Sequence, residues 1–192
     1  STITVADDLT AVLTMSVNSA VTSTTDALTL VLAKSADEDY TSIVLPDVET
    51  LTVNVTEVTA STTIQAATIG LATSQQTGGA AQTLNVTGTE SLTIDTAVTM
   101  GTIDASGMTV AATTDAGLAM SSSATVAQTI TGSGKVDTLY GSTKADTIDA
   151  GAGNDAIHAS TGADTIDGGA GTDTLHTTGM VSTTIEGSGT GE

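Results

Sequence analysis

Five aspartates, Asp137, Asp146, Asp155, Asp164 and Asp173, stand nine residues apart in one unbroken register. Written in nines from Gly132 to His176, the chain runs GSGKVDTLY, GSTKADTID, AGAGNDAIH, ASTGADTID, GGAGTDTLH. The aspartates hold the sixth place of each block, and Leu139, Ile148, Ile157, Ile166 and Leu175 hold the eighth. The chemistry open to such a pattern is cation binding. A glycine-rich stretch at places one to four bends sharply and turns its carbonyls inward. A carboxylate just after the bend adds charge to an oxygen shell, and a hard cation taking six to eight oxygens at roughly 2.3–2.6 Å suits it. Calcium is the expected ion, in several copies.

These residues need an element that repeats every nine positions. Places seven to nine make a short strand whose middle side chain points in and whose neighbours point out. One block is then a turn and a strand, and two blocks are a coil with two opposed sheets. Each residue stacks on the one eighteen further along, at about 4.8 Å. Asp137, Asp155 and Asp173 fall on one edge, Asp146 and Asp164 on the other, so the expected sites lie between Asp137 and Asp155, Asp155 and Asp173, and Asp146 and Asp164. Gly151, Gly153, Gly169 and Gly171 make the third and fifth blocks the strongest, with Asn154 tolerating left-handed geometry and Gly162 serving the fourth. Lys135 and Lys144 at place four mark weaker sites in the first two.

The blocks resemble the G-G-x-G-x-D-x-U-x nonapeptide of RTX proteins, whose parallel β-roll binds Ca²⁺. That resemblance implies export by a type I secretion machinery and folding outside the cell. A flexible Gly/Asp/Thr-rich linker would not require an aliphatic residue at every ninth place.

The whole chain has 192 residues, no Phe, Trp or Cys, and only two Tyr. Thin interiors of Val, Ile, Leu and Ala fit this better than a thick globular core. The net charge of −19 sets 22 acids against Lys34, Lys135 and Lys144. Such a field repels nucleic acid, so no nucleic-acid partner is expected. Self-repulsion also opposes folding unless cations neutralise it. Without cysteine there is no disulfide route to stability. No apolar run of about 18 residues exists, so no membrane insertion is expected. The chain opens mid-strand at Ser1 without Met or signal peptide, and reads as a fragment of something longer.

Three regions are expected: a Thr/Ala/Val-rich β domain at 1–128, the calcium-binding β-roll at 129–181, and a flexible tail at 182–192. The fold class is all-β, a parallel β-roll at the C-terminal end with an irregular β-solenoid or a β-sandwich upstream. Residues 1 to about 35 alternate apolar and hydroxyl side chains at strand period. Ala36–Tyr40 is an acidic loop. Two strands flank Pro46, and alanine allows a helical turn at 57–60 or 66–73. Residues 100–108 read as strand, turn, strand, with Asp104 a lesser metal candidate. The roll is expected to end after His176. The phrases at Glu49, Glu90 and Asp137, each acid, hydroxyl, leucine, strand residue, point to imperfect coils tightening into the strict repeat.

His158 and His176 should stack on an outer face, as should Asp149 and Asp167 on the opposite one; two imidazoles alone fall short of a zinc shell. Asn54 and Asn85 match a glycosylation sequon that arises cheaply in a threonine-rich chain. No protease, esterase or nucleotide-binding motif occurs, and a glycosidase pair would lack aromatic sugar platforms. No catalysis is expected. With the phrases VETLTV and TESLTI, the composition resembles that of type I-secreted surface-layer proteins of Gram-negative bacteria. That implies a cell-surface location, self-association into a two-dimensional lattice, and cell-surface polysaccharide as a candidate partner. The competing expectations are the secretion and folding module of an exported enzyme, and a calcium-stiffened adhesin stalk.

Overall fold

The structure, a computed structural model, describes residues 2–5, 13–14, 27–34, 38–46, 49–57, 66–74, 82–94, 98, 100–109, 115–120, 126–176 and 184–186. These form strands joined by turns and bends, in two sheets. One sheet holds, in order, β1 (Thr2–Val5), β3 (Ala27–Lys34), β5 (Thr50–Glu57), β7 (Thr83–Gly88), β9 (Thr102–Met108), β11 (Thr129–Thr131), β13 (Thr147–Asp149), β15 (Thr165–Asp167) and β17 (Thr184–Glu186). The other holds β2 (Leu13–Thr14), β4 (Glu38–Pro46), β6 (Ala66–Ser74), β8 (Ser91–Ile94), β10 (Ala116–Met120), β12 (Val136–Tyr140), β14 (Ala156–His158) and β16 (Thr174–His176).

Every strand therefore lies in the sheet opposite its sequence neighbour, and every pairing within a sheet is parallel. That is a solenoid, and of the two upstream architectures open to the sequence it is the one found. A sandwich of hairpins would pair neighbours in sequence antiparallel. Pairing passes through residue 128 without a break, because β11 bonds to β9 on one side and β13 on the other.

The coils vary in length upstream and become regular in the repeat. Thr50 pairs with Thr83, 33 residues on, and Thr102 with Thr129, 27 on. From Thr129 the step is 18, to Thr147 and then Thr165, with 19 to Thr184. The inside narrows in parallel. Strand β5 buries Leu51, Val53 and Val55, whereas β13, β14 and β15 each bury one isoleucine, Ile148, Ile157 and Ile166. One aliphatic column runs through the nine-stranded sheet from Leu28 through Leu51, Leu84, Ile103, Ile130, Ile148 and Ile166 to Ile185. Threonines stand one residue before it at Thr50, Thr83, Thr102, Thr129, Thr147, Thr165 and Thr184. β-Branched residues suit this pleated, laterally crowded surface.

Several expectations need correction. Residues 66–73 are strand, not helix: β6 is held between β4 and β8, and two-sided pairing outweighs alanine's helix preference. Glu38–Tyr40 belong to β4 rather than to an acidic loop, paired with Ala67, Thr68 and Ile69. Residues 102–108 are one strand carrying a bulge opposite Asn85 and Thr87, not two strands around a turn. Residues 184–186, expected within a flexible tail, form β17 on β15. Pro46 does end β4, and β5 begins at Thr50. Of the helical turn expected at 57–60, Glu57 is the last residue of β5 and 58–60 lie outside the described residues. Among those described, no helix is long and apolar enough to cross a membrane.

The aliphatic column yields a stability test. Ile148→Ala should cost about 2–5 kcal/mol in denaturant unfolding, since it opens a cavity in an interior one side chain wide. Ile185, 58 % exposed at the end of the column, should tolerate alanine with little change. Equal losses at the two positions would contradict the assigned interior.

Candidate calcium centre

Each repeat aspartate sits at the corner where the chain leaves the turn, Asp146, Asp155, Asp164 and Asp173 one residue before a strand and Asp137 as the second residue of β12. Its backbone carbonyl accepts from the strand's first N–H one coil later, as in Thr165 to Asp146 (2.8 Å) and Thr174 to Asp155 (2.7 Å). The corner position is older in the chain than the repeat. Thr83 donates to the Glu49 carbonyl, Thr102 to Gln82, Thr129 to Gly101 and Thr147 to Gln128. Glu49, Gln82, Gly101, Gln128, Asp146 and Asp164 thus form one corner column, all but Gly101 buried.

The carboxylates knit the coils together. Oδ1 of Asp155 accepts from the Asp137 N–H at 2.8 Å, Oδ1 of Asp173 from the Asp155 N–H at 2.9 Å, and Oδ1 of Asp164 from the Asp146 N–H at 3.0 Å. The structure thereby brings together the three pairs expected from the eighteen-residue stack. Asp137 and Asp146 extend both edges upstream, accepting at Oδ1 from the N–H groups of Leu118 (2.6 Å) and Gln128 (2.7 Å). Gln128 also anchors the corner through its side-chain amide, which donates to the carbonyls of Val98 and Met100.

At the second carboxylate oxygen the five part company. Oδ2 of Asp137 accepts from the Ser133 N–H at 2.6 Å, and the Ser133 hydroxyl lies 2.9 and 3.0 Å from the two oxygens. Asp146 is held likewise by the Ser142 N–H (2.6 Å) and hydroxyl (2.8 Å). Oδ2 of Asp155, Asp164 and Asp173 is buried with no hydrogen-bond partner. A buried carboxylate oxygen without a donor is costly, and a cation is the group that would satisfy it.

The backbone explains the difference. In the turns of Asp155, Asp164 and Asp173, places two and four have positive φ: Gly151 (93°) and Gly153 (150°), Ser160 (68°) and Gly162 (153°), Gly169 (75°) and Gly171 (149°). The second-place N–H is drawn away from the site, from Gly151 to Asp149 Oδ1 at 3.1 Å and from Gly169 to Asp167 Oδ1 at 2.9 Å. Asp149 and Asp167 shape the turns rather than face the ion. A Cβ at Gly153 would strike the Lys135 carbonyl, at Gly162 the Lys144 carbonyl, and at Gly171 the Gly153 carbonyl, so the turns stack at backbone contact. Asn154 holds the stack from its side, its Oδ1 accepting from the Thr172 N–H at 2.9 Å.

Among the described residues no three His, Asp or Glu side chains converge on one point. A cation here must complete its shell with turn carbonyls, as calcium does and as soft transition metals do not. The Oδ1 of Asp104 accepts from the Ser106 N–H and hydroxyl, two residues along within β9. On the outer face of the eight-stranded sheet, Tyr140, His158 and His176 form a column of parallel rings, with centroids 4.1 and 4.0 Å apart. Burial, and then the charge of His176, lower the His158 pKa. The expected histidine stack is thus present, with Tyr140 as a third member.

Burial raises the pKa values of Asp137, Asp155 and Asp164. For Asp137 the N–H groups of Ser133 and Leu118 and the Ser133 hydroxyl oppose the rise. Asp155 is pushed up to about 7 by burial, with the Asp137 N–H pulling it down and the charges of Asp137 and Asp173 adding to the rise. Asp164 rises by burial, the Asp146 N–H opposing and the Asp146 charge adding.

Sequence reasoning located the aspartates and the glycines. It missed Gln82 and Gln128, whose irregular spacing conceals their corner position, and Ser133 and Ser142, whose signal was a serine four residues before the aspartate. A model of the RTX calcium-binding nonapeptide repeat, in four copies, matches residues 131–166 and 154–179. Residues 131–179 are thus similar to RTX repeats, a repeat type that binds Ca²⁺ and is typical of secreted proteins. Among the curated proteins and the solved structures nothing matches the chain.

Two outcomes follow. With its folded value near 7 against an ordinary 3.8, Asp155 adds stability that is complete below the lower value and is lost as pH rises through the upper one. The calcium-stripped protein should therefore melt at a higher temperature at pH 5 than at pH 8 by circular dichroism. Saturating calcium should remove that preference, because ion and proton compete for one oxygen; a stripped protein that melts higher at pH 8 would refute the assignment. Separately, Gly153→Ala should lose at least about 1–3 kcal/mol in calcium-saturated unfolding from backbone strain alone, and an unchanged midpoint would count against the stacked turn.

Proposed function

We propose that the chain is a structural, calcium-dependent part of an exported protein that assembles as a surface layer on a bacterial cell. The observation that carries this reading is the continuity of the two parallel sheets from β1 to β17, with the buried, donor-less oxygens of Asp155, Asp164 and Asp173 gathered at one end. A solenoid of this kind is a stiff plate with two outer faces, the geometry from which repeating lateral contacts are built. Calcium, abundant outside the cell, neutralises the carboxylates at that end of the plate and stabilises its fold. Catalysis has no part in the proposal, and type I secretion supplies the route out.

Self-association through the faces of the plate, with surface polysaccharide as the anchor, is the partner scheme that fits. The experiment is electron microscopy of the purified protein with calcium and with EGTA, beside circular dichroism on the same samples. Ordered two-dimensional arrays in calcium alone are expected. Calcium should restore sheet signal after EGTA, and magnesium should do so poorly because of its stricter octahedral demand. Monodisperse particles in both conditions would refute the lattice reading while leaving calcium-dependent folding intact.

A further inference from the structure

The five repeat turns fall into two kinds, and each of three independent features divides them in the same place. Turns 150–154, 159–163 and 168–172 have positive φ at places two and four, while in turns 132–136 and 141–145 neither Ser133 and Lys135 nor Ser142 and Lys144 takes it. The first three leave Oδ2 of their aspartate buried without a donor, and the other two do not. In those two turns the serine hydroxyl also accepts from the N–H at place four, Lys135 to Ser133 Oγ at 3.1 Å and Lys144 to Ser142 Oγ at 2.9 Å. Each hydroxyl thus bridges its turn to its carboxylate, and the serine N–H serves the Oδ2 that the other turns leave bare.

Crowding reinforces the point at Asp137. Gly117 lies so close that an added Cβ would strike both Ser133 Oγ and Asp137 Oδ1. The carboxylate is enclosed by protein donors on both oxygens, with a backbone segment laid over it.

Ser160 is the control that the chain itself provides. It too lies four residues before an aspartate, yet it adopts φ 68°, the sole positive value at a non-glycine among the described residues, and Asp164 Oδ2 stays without a donor. Left-handed geometry is strained for a serine. What differs is place four. Gly162 there can take φ 153°, which Lys135 and Lys144 as L-residues disfavour. Place four selects the kind of turn, and serine at place two caps it only when place four is not glycine.

We propose that Ser133 and Ser142 stand in for calcium: their turns are closed by protein donors, the carboxylates of Asp137 and Asp146 are not ion ligands, and ion binding begins at Asp155. The proposal rests on the calcium reading of the repeats. It makes the first coil of the strict repeat a metal-independent base on which the calcium-loaded coils stack.

The test counts calcium by equilibrium dialysis on the full chain, with folding followed by circular dichroism. Asp137→Asn should bind as many ions as the parent chain, whereas Asp155→Asn should lose at least one and bind the remainder at least about tenfold more weakly. The double variant Ser133→Gly with Lys135→Gly, which rebuilds the open kind of turn, should gain an ion. Loss at Asp137→Asn equal to that at Asp155→Asn in folded protein overturns the proposal. Should the variants fail to fold, a crystal structure of the calcium-loaded parent chain decides: an ion on the carboxylate of Asp137 or Asp146 overturns it, and ions on Asp155, Asp164 and Asp173 alone support it. A parent chain that binds no calcium would instead defeat the calcium reading itself.

Discussion

A carboxylate placed at the inside corner of a coil has to be neutralised or fully bonded, and the C-terminal part of this solenoid is arranged around that requirement. Each coil of the strict repeat presents only two large aliphatic side chains to the interior, one from each sheet. An interior so thin cannot hold eighteen residues by hydrophobic burial alone, given the entropy of ordering them. Cohesion comes instead from the ladder of backbone bonds, from the Oδ1 contacts between coils, and from whatever satisfies Oδ2. Upstream the balance differs. Strands such as β3 and β5 bury three aliphatic residues each, and the corner column carries Glu, Gln or Gly in place of aspartate.

The gradient along the chain is therefore one of mechanism within a single architecture. At one end the coils are long, irregular and held by a broader apolar interior. At the other they are eighteen residues long, narrow and held by polar corners. Gln128 lies at the join: its backbone N–H serves Asp146 while its side-chain amide satisfies two upstream carbonyls. An amide does there what a carboxylate does further on, without adding to a net charge that already stands at −19.

Much of this was legible from residue spacing. A strict period of nine with an aliphatic residue two places after each aspartate specifies an eighteen-residue stack, because no other register puts both the carboxylates and the isoleucines in columns. The upstream coils were less legible, since insertions of varied length between strands hide the register that Thr83, Thr102 and Thr129 share. Alanine at 66–73 pointed toward helix because propensity is a local quantity and pairing to β4 and β8 is not. The serines were invisible for a subtler reason. Ser133, Ser142 and Ser160 occupy the same place in the repeat, and their roles diverge only through the φ angle that the residue two positions later permits.

The Oδ1 contacts have a direction. Asp173 receives the N–H of Asp155, Asp155 that of Asp137, and Asp137 that of Leu118; along the other edge Asp164 receives Asp146, and Asp146 receives Gln128. In these aspartate contacts the carboxylate always belongs to the later coil and the N–H to the earlier one. The two ends of such a stack are chemically unlike. Removing earlier coils uncovers carboxylate oxygens, which accept, while removing later coils uncovers backbone N–H groups, which donate. A stack of such coils therefore presents acceptors at one cut face and donors at the other, and two cut faces of the same kind would not match.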